Sequence, residues 1–301
     1  MVARLALTVS ITEFANALNR EGRTVSIDES GAYWRRGEGG SLVRMPVFDL
    51  SVPDPAKVDR LFHESHAPVI SYVVEPDEHH PPDATLYLCR DRSYSMDKLG
   101  KKVRFSIRKS EILRIEWLDK ETFLKHGFAA FGDSRSRNGL RDGTREAFQQ
   151  NYRSWFDNPA NGVLGAWKED CLVGYYTTTV VEDWVEIGGH STNDGLIFNP
   201  NNGLVHHLLT EFLVERKIRV VSYGLSSIQE SSKADGLHHF KVKVGFEAIP
   251  VRRIFLPHPL LRPFVSRLSL AIGHRAMHLF PGNRVLRKGC GVLARLIEST
   301  P

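Results

Sequence analysis

The residues of this chain that could do chemistry are few, and the most pointed of them is Lys241 in the string GLHHFKVKVGFE. On a helical wheel at about 100° per residue Lys241 shares one narrow arc with Leu237, Phe240 and Val244, while Lys243 points away. An ammonium on an apolar stripe must either snorkel to the rim of the core or find a partner there, because burying it unpaired is costly. Ser226 and Ser227 follow Gly224 at the end of a short β-branched run, where hydroxyls contact a substrate or cap the next helix. Asn201, Asn202, Gly203 and Leu204 open a helical pattern, and free N–H groups at a helix start attract anions. Arg104 and Arg108 lie in a basic helical stretch, RFSIR, whose Leu99, Val103 and Ile107 turn inward.

Other chemistries lack their motifs. There is no G-x-S-x-G elbow, Walker loop, H-E-x-x-H or dinucleotide fingerprint. His79 and His80 are adjacent in a solvated loop, so their side chains diverge. His206 and His207 read as helix surface and partial core, and no metal is expected. Cys89, Cys171 and Cys290 are odd in number and widely spaced, which suits a reducing cytoplasm.

The elements that must position these residues alternate. A capping box, Ser10 with Glu13, opens a helix to Arg20, so the Leu5–Ile11 run reads as its approach and not as a signal peptide. Short strands follow near 24–27, 32–35 and 42–48, then a helix capped by Asp54 and strands at 69–74 and 84–89. The basic helix comes next. After it the pattern predicts a strand near 113–118, a helix capped by Asp119, and a polar, Gly-rich loop GDSRSRNGLRDG. A helix capped by Thr144 then leads to a meander of strands at 163–167, 172–181 and 184–190. A helix with Asn202 as N-cap carries Leu204, Leu208, Leu209, Phe212 and Leu213 on one side. The chain then reads strand 220–224, the helix of Lys241, and a strand at 248–256. Glu186 and Asp194 stand near the strand ends.

The sequence has 301 residues, 42% hydrophobic and 25% charged, with a net charge of +5. That is an ordinary globular composition, and no apolar run approaches the roughly 20 residues that span a bilayer. The basic excess belongs to the end of the chain, where seven Lys+Arg after residue 257 face Glu298 alone.

Two ordered strings, Arg104 to Arg108 and Phe240–Lys241 with Gly245, resemble the Fem-type acyltransferases of the GNAT superfamily. An ordinary GNAT acetyltransferase commonly has Tyr four residues before this Gly, where Lys241 stands, which favours the Fem-like branch. The resemblance implies a mixed α/β protein of two tandem GNAT-like halves, 1–109 and 110–257. Each is a mostly antiparallel sheet flanked by helices, and a basic helical tail follows at 258–301. It implies transfer of an acyl group to an amine of a cell-envelope, glycan or small-molecule acceptor. In that reading Lys241 and Phe240 serve the reacting acyl group, Asn201, Asn202, Gly203 and Leu204 meet the donor, and Ser226, Ser227, Arg104 and Arg108 meet substrate. The donor is acetyl-CoA or another acyl-CoA; the R/Q-x-x-G-x-G/A loop that grips it is replaced by FNPNNGL. Aminoacyl-tRNA is the alternative donor, and a non-catalytic binding protein on a degenerate scaffold is the third reading.

If 262–280 is helical, Phe264, Leu268, Ile272 and Leu279 share an arc interrupted by Arg275, beside Arg267, His274 and His278. Such a helix docks on the protein body or lies in the interface of an anionic membrane. The implied location is the cytoplasm, with the inner membrane face as a peripheral site, and nucleic acid is a partner only if tRNA is the donor.

Overall fold

The computed structural model describes residues 6–20, 25–27, 32–37, 40–78, 81–138, 143–226, 232–279, 290–291, 293–294 and 296–297. In chain order they form α1 (Ile11–Arg20), β1 (Val25–Ile27), β2 (Tyr33–Arg36), β3 (Leu42–Met45), α2 (Pro55–Ser65), β4 (Val69–Val74), β5 (Ala84–Cys89), α3 (Lys101–Ser110), β6 (Arg114–Trp117), α4 (Lys120–His126), α5 (Phe128–Arg137) and α6 (Arg145–Trp155). Then come β7 (Asn161–Lys168), β8 (Cys171–Val181), β9 (Trp184–Ser191), α7 (Pro200–Leu209), β10 (Val220–Leu225), α8 (Ser232–Lys243), β11 (Glu247–Pro257) and α9 (Arg267–Leu279). The mixed α/β class read from the sequence is the class observed.

Contacts gather these elements into two compact units, one of residues 1–22 and 84–249, the other of 23–83 and 250–301. Each unit is built from two separated lengths of chain. The tandem division at 109 and 257 stands as a proposal.

In the 23–83 and 250–301 unit the strand order is β1-β2-β3-β4-β11, antiparallel except for β3 with β4. Helix α2 starts where Asp54 accepts the N–H of Ala56 at 2.9 Å and Pro55 fills a position that needs no donor. Its Val58, Leu61 and Phe62 pack with Trp34, Leu42 and Ile70.

In the 1–22 and 84–249 unit the order is β5-β10-β9-β8-β7-β6. Neighbouring β8 residues divide its two faces: Tyr176 joins the core with α3 and α7, and Tyr175 joins the ring cluster under α4, α5 and α6. Around Phe123 in that cluster stand Phe148, Tyr152, Phe156 and Tyr175, with centroids 4.8 to 5.5 Å away. All pairs are antiparallel except β9 with β10, whose parallel register runs only from Trp184/Val220 to Glu186/Ser222. Against β5, β10 bulges between Ser222 and Leu225, and Gly224 there has φ +70°. Tyr223 is therefore the first residue beyond the parallel pairing.

Three expectations change. The Gly, Ser and Arg content of 132–137 predicts a loop, yet the segment is the end of α5. Tertiary bonds fix it: Ser134 is buried and its Oγ accepts the N–H of Ser191 at 2.9 Å, and Arg137 donates to the carbonyl of Ser191 at 2.7 Å. The basic stretch is broken at Leu99–Gly100, with a 3₁₀ turn Met96–Lys98 before α3. Helix α7 begins at Pro200 behind a left-handed Asn199, so Asn202 lies inside it and caps nothing; a 3₁₀ turn, Asp194–Phe198, precedes it.

Candidate active site

Helix α8 delivers Lys241 into the core. The residue is 3% exposed, and its Nζ lies 4.1 Å from the centre of the Tyr87 ring and 4.3 Å from that of Tyr223. It donates to the carbonyl oxygen of Tyr223 at 3.2 Å. Two π faces and one carbonyl are its partners among the described residues, and no carboxylate pairs with it there. Burial accordingly pulls its pKa down to about 8. The side chain does not snorkel: the second of the two sequence alternatives, a partner in the core, is the one realised, and the partner is aromatic.

The box has a second layer. Tyr223 and Tyr176 place their hydroxyls 2.7 Å apart, and Tyr223 meets Phe246 edge to face. Burial raises the pKa of Tyr223 to about 12 and that of Tyr176 well above the tyrosine range, so both stay neutral hydrogen-bond donors. Tyr176 lies flat over Gly189, where an added Cβ would stand 2.3 Å from its ring. On the other side the Tyr87 hydroxyl is 2.9 Å from Nδ1 of His238, one turn before Lys241. The tight turn after α8 requires Gly245, whose φ is +111°.

The other sequence-predicted residues do not gather around this ammonium. Phe240 is half-buried and packs against the same core. Ser226 continues the β10 ladder, giving its N–H to the carbonyl of Thr85 at 2.7 Å and accepting the Thr85 N–H on Oγ at 2.9 Å. Ser227 lies outside the described residues, as do His79 and His80. Arg104 is half-buried with its guanidinium 3.4 Å from the Asp97 carbonyl, and Arg108 is exposed. Glu186 is half-buried, but Val185 and Ile187 on either side face the core of Lys241, so Glu186 faces away. Asp194 is exposed.

The residues expected to meet the donor lie at the start of α7. Gly203 makes a close approach, but to α3: an added Cβ would sit 2.3 Å from Ser110 Oγ. Leu204 is fully buried. Pro200 has no N–H, and those of Asn202 and Gly203 turn back to the Asn199 carbonyl at 3.1 and 3.4 Å. Asn201 is half-buried, with Oδ1 unsatisfied. Among the described residues no group of His, Cys, Asp or Glu could hold a metal ion.

Sequence reasoning missed Tyr87, Tyr176, Tyr223 and His238. Each looked like an ordinary strand or helix residue, and only the β5-β10-β9-β8 register brings the three tyrosines to one place.

The fold these elements form is similar to that of several solved structures. Among solved structures, FemX is similar at 12% identity with TM-score 0.57, over 84% of this chain and 93% of that one. The C-terminal DUF2156 domain of an Agrobacterium fabrum protein described as a lysylphosphatidylglycerol synthetase is similar at 15% identity and TM-score 0.53, over 82% and 87%. A conserved protein of unknown function from Bacteroides thetaiotaomicron is similar at 11% and 0.52, over 84% and 93%. No protein-family model matches the sequence, and neither does any curated protein.

Proposed function

We propose that this chain is a GNAT-type transferase that moves an aminoacyl or acyl group onto a nucleophilic acceptor, with Lys241 as its electrostatic catalyst. The observation that carries the reading is the placement of one buried ammonium against Tyr223, at the point where the parallel strands stop pairing. Attack by a neutral amine on an ester or thioester carbonyl gives a tetrahedral oxyanion. Lysine has three N–H donors and only one hydrogen bond among the described residues, so Nζ has donors to spare for that oxygen. The neutral Tyr176–Tyr223 pair, with one O–H spent on its mutual bond, leaves one hydroxyl proton to donate beside it. His238, hydrogen-bonded to Tyr87 on the same helix as Lys241, is the titratable group placed to accept the amine's proton.

For the donor, the start of α7 argues for an aminoacyl ester over coenzyme A. The diphosphate of coenzyme A needs free N–H groups, and at this helix start Pro200 has none and Asn202 turns its own back to the Asn199 carbonyl. Helix α3, packed on α7, carries exposed Lys101, Lys102, Arg108 and Lys109, a surface suited to a polyanion such as tRNA. A lysyl donor also agrees with the name of the similar lysylphosphatidylglycerol synthetase domain. Acyl-CoA is the second reading, and an envelope-precursor amine is the proposed acceptor class. Titration with aminoacylated tRNA and separately with acetyl-CoA tests this. Binding of the charged tRNA supports the proposal, acetyl-CoA binding alone returns the donor to coenzyme A, and binding of neither favours a non-catalytic scaffold.

A further inference from the structure

The 23–83 and 250–301 unit ends in an apolar stripe that points outward. Leu260 and Phe264 in the 3₁₀ turn Pro259–Phe264, and Leu268, Ile272 and Leu279 in α9, are each between 60% and 77% exposed. The less exposed side of α9 is narrow and built of smaller groups: Ser269, Leu270, Gly273, Ala276 and Met277. Gly273 permits the close approach, since an added Cβ would stand 2.5 Å from Cys290 Sγ. The helix is thus held by its small-residue side, and the large aliphatic groups that sequence reasoning would sooner have docked on the body face solvent.

On the wheel Leu268, Ile272 and Leu279 fall within about 40° of one another, with Arg275 at their edge and Arg267 and His274 beyond it. Arg262, Arg267, His274 and Arg275 are all exposed. From His258 to Leu279 the sequence has no Asp or Glu. Apolar groups in a row beside arginines that meet no carboxylate among the described residues match the interfacial zone of an anionic bilayer, where acyl chains take the stripe and phosphates take the guanidinium groups. The 13-residue helix is too short to cross, so it lies in the plane. A second copy fits less well, because a two-fold contact through this face would bring arginines together with no carboxylate to answer them. RNA fits less well too, since leucine and isoleucine offer no ring for a base to stack on.

We propose that Pro259–Leu279 is an in-plane docking element for an anionic lipid surface. The proposal needs nothing from the transferase reading. Full-length protein is sedimented with vesicles of phosphatidylcholine alone and with about one quarter phosphatidylglycerol. Binding to the anionic vesicles is expected to be at least about tenfold stronger and to weaken with salt. L268S/I272S and R267E/R275E should each lower it by about tenfold or more, with circular dichroism showing that both variants fold. Wild-type binding by both variants overturns the proposal, as does loss of binding in K101E/K109E on α3 instead. A lipid-free dimer abolished by L268S/I272S would identify the occupant as a second copy. Displacement by tRNA that is lost in R267E/R275E would identify it as nucleic acid.

Discussion

A lysine held against two rings is expensive, and that expense makes its role measurable. The folded chain keeps this proton only up to about pH 8, whereas an unfolded lysine keeps it to about 10.4. Between those values the unfolded state binds more protons, so stability rises with pH across the window; below about pH 8 the full deficit, roughly 3 kcal/mol, is present. If the charge stabilises an oxyanion, activity moves the other way and falls as pH rises through about 8. Denaturant melts and initial rates over the same pH series check the two opposed slopes. Lys241→Met keeps the volume and removes the charge. Its expected result is a turnover at least about tenfold to a hundredfold lower with a melting temperature equal to or above the parent's. An unchanged rate would mean that the ammonium is a passenger.

At the scale of elements, the contact between α3 and α7 separates packing from ligand binding. Gly203→Ala should cost about 1 to 3 kcal/mol, because the new methyl meets Ser110 Oγ and Cβ at 2.3 and 2.9 Å. Ser110→Gly should recover much of that loss. If Gly203 instead served the donor, the single variant would weaken donor binding and the second change would not restore it; thermal melts and a binding titration on both variants decide. Elements set by local rules were legible in the sequence: the Ser10–Glu13 capping box, the Asp54, Asp119 and Thr144 caps, and every strand of the meander. Helix α5 was not, because its Ser134 and Arg137 look like loop residues until Ser191 is brought beside them. Lys241 was legible as an anomaly, a cation at an apolar position. Its solution, two tyrosines from strands 136 residues apart in the chain, depends on register and so could not be read.

For the whole molecule, charge and connectivity matter more than any one contact. The exposed cations of α3 predict that tRNA binding, where it occurs, weakens steeply between low and physiological salt. K101E/K102E/R108E/K109E should flatten that dependence while leaving the pH response of stability intact. Filter binding at graded salt measures the first and melts the second. Connectivity has a consequence for how the protein is made. The 1–22 and 84–249 unit lacks α8 until residue 243 has emerged, and the 23–83 and 250–301 unit lacks β11 until 257. During synthesis, therefore, neither sheet is complete before residue 225 has emerged, and the early strands must wait with open edges. A product cut short before β11 would keep β4 as an open edge and would be a ward of the chaperones.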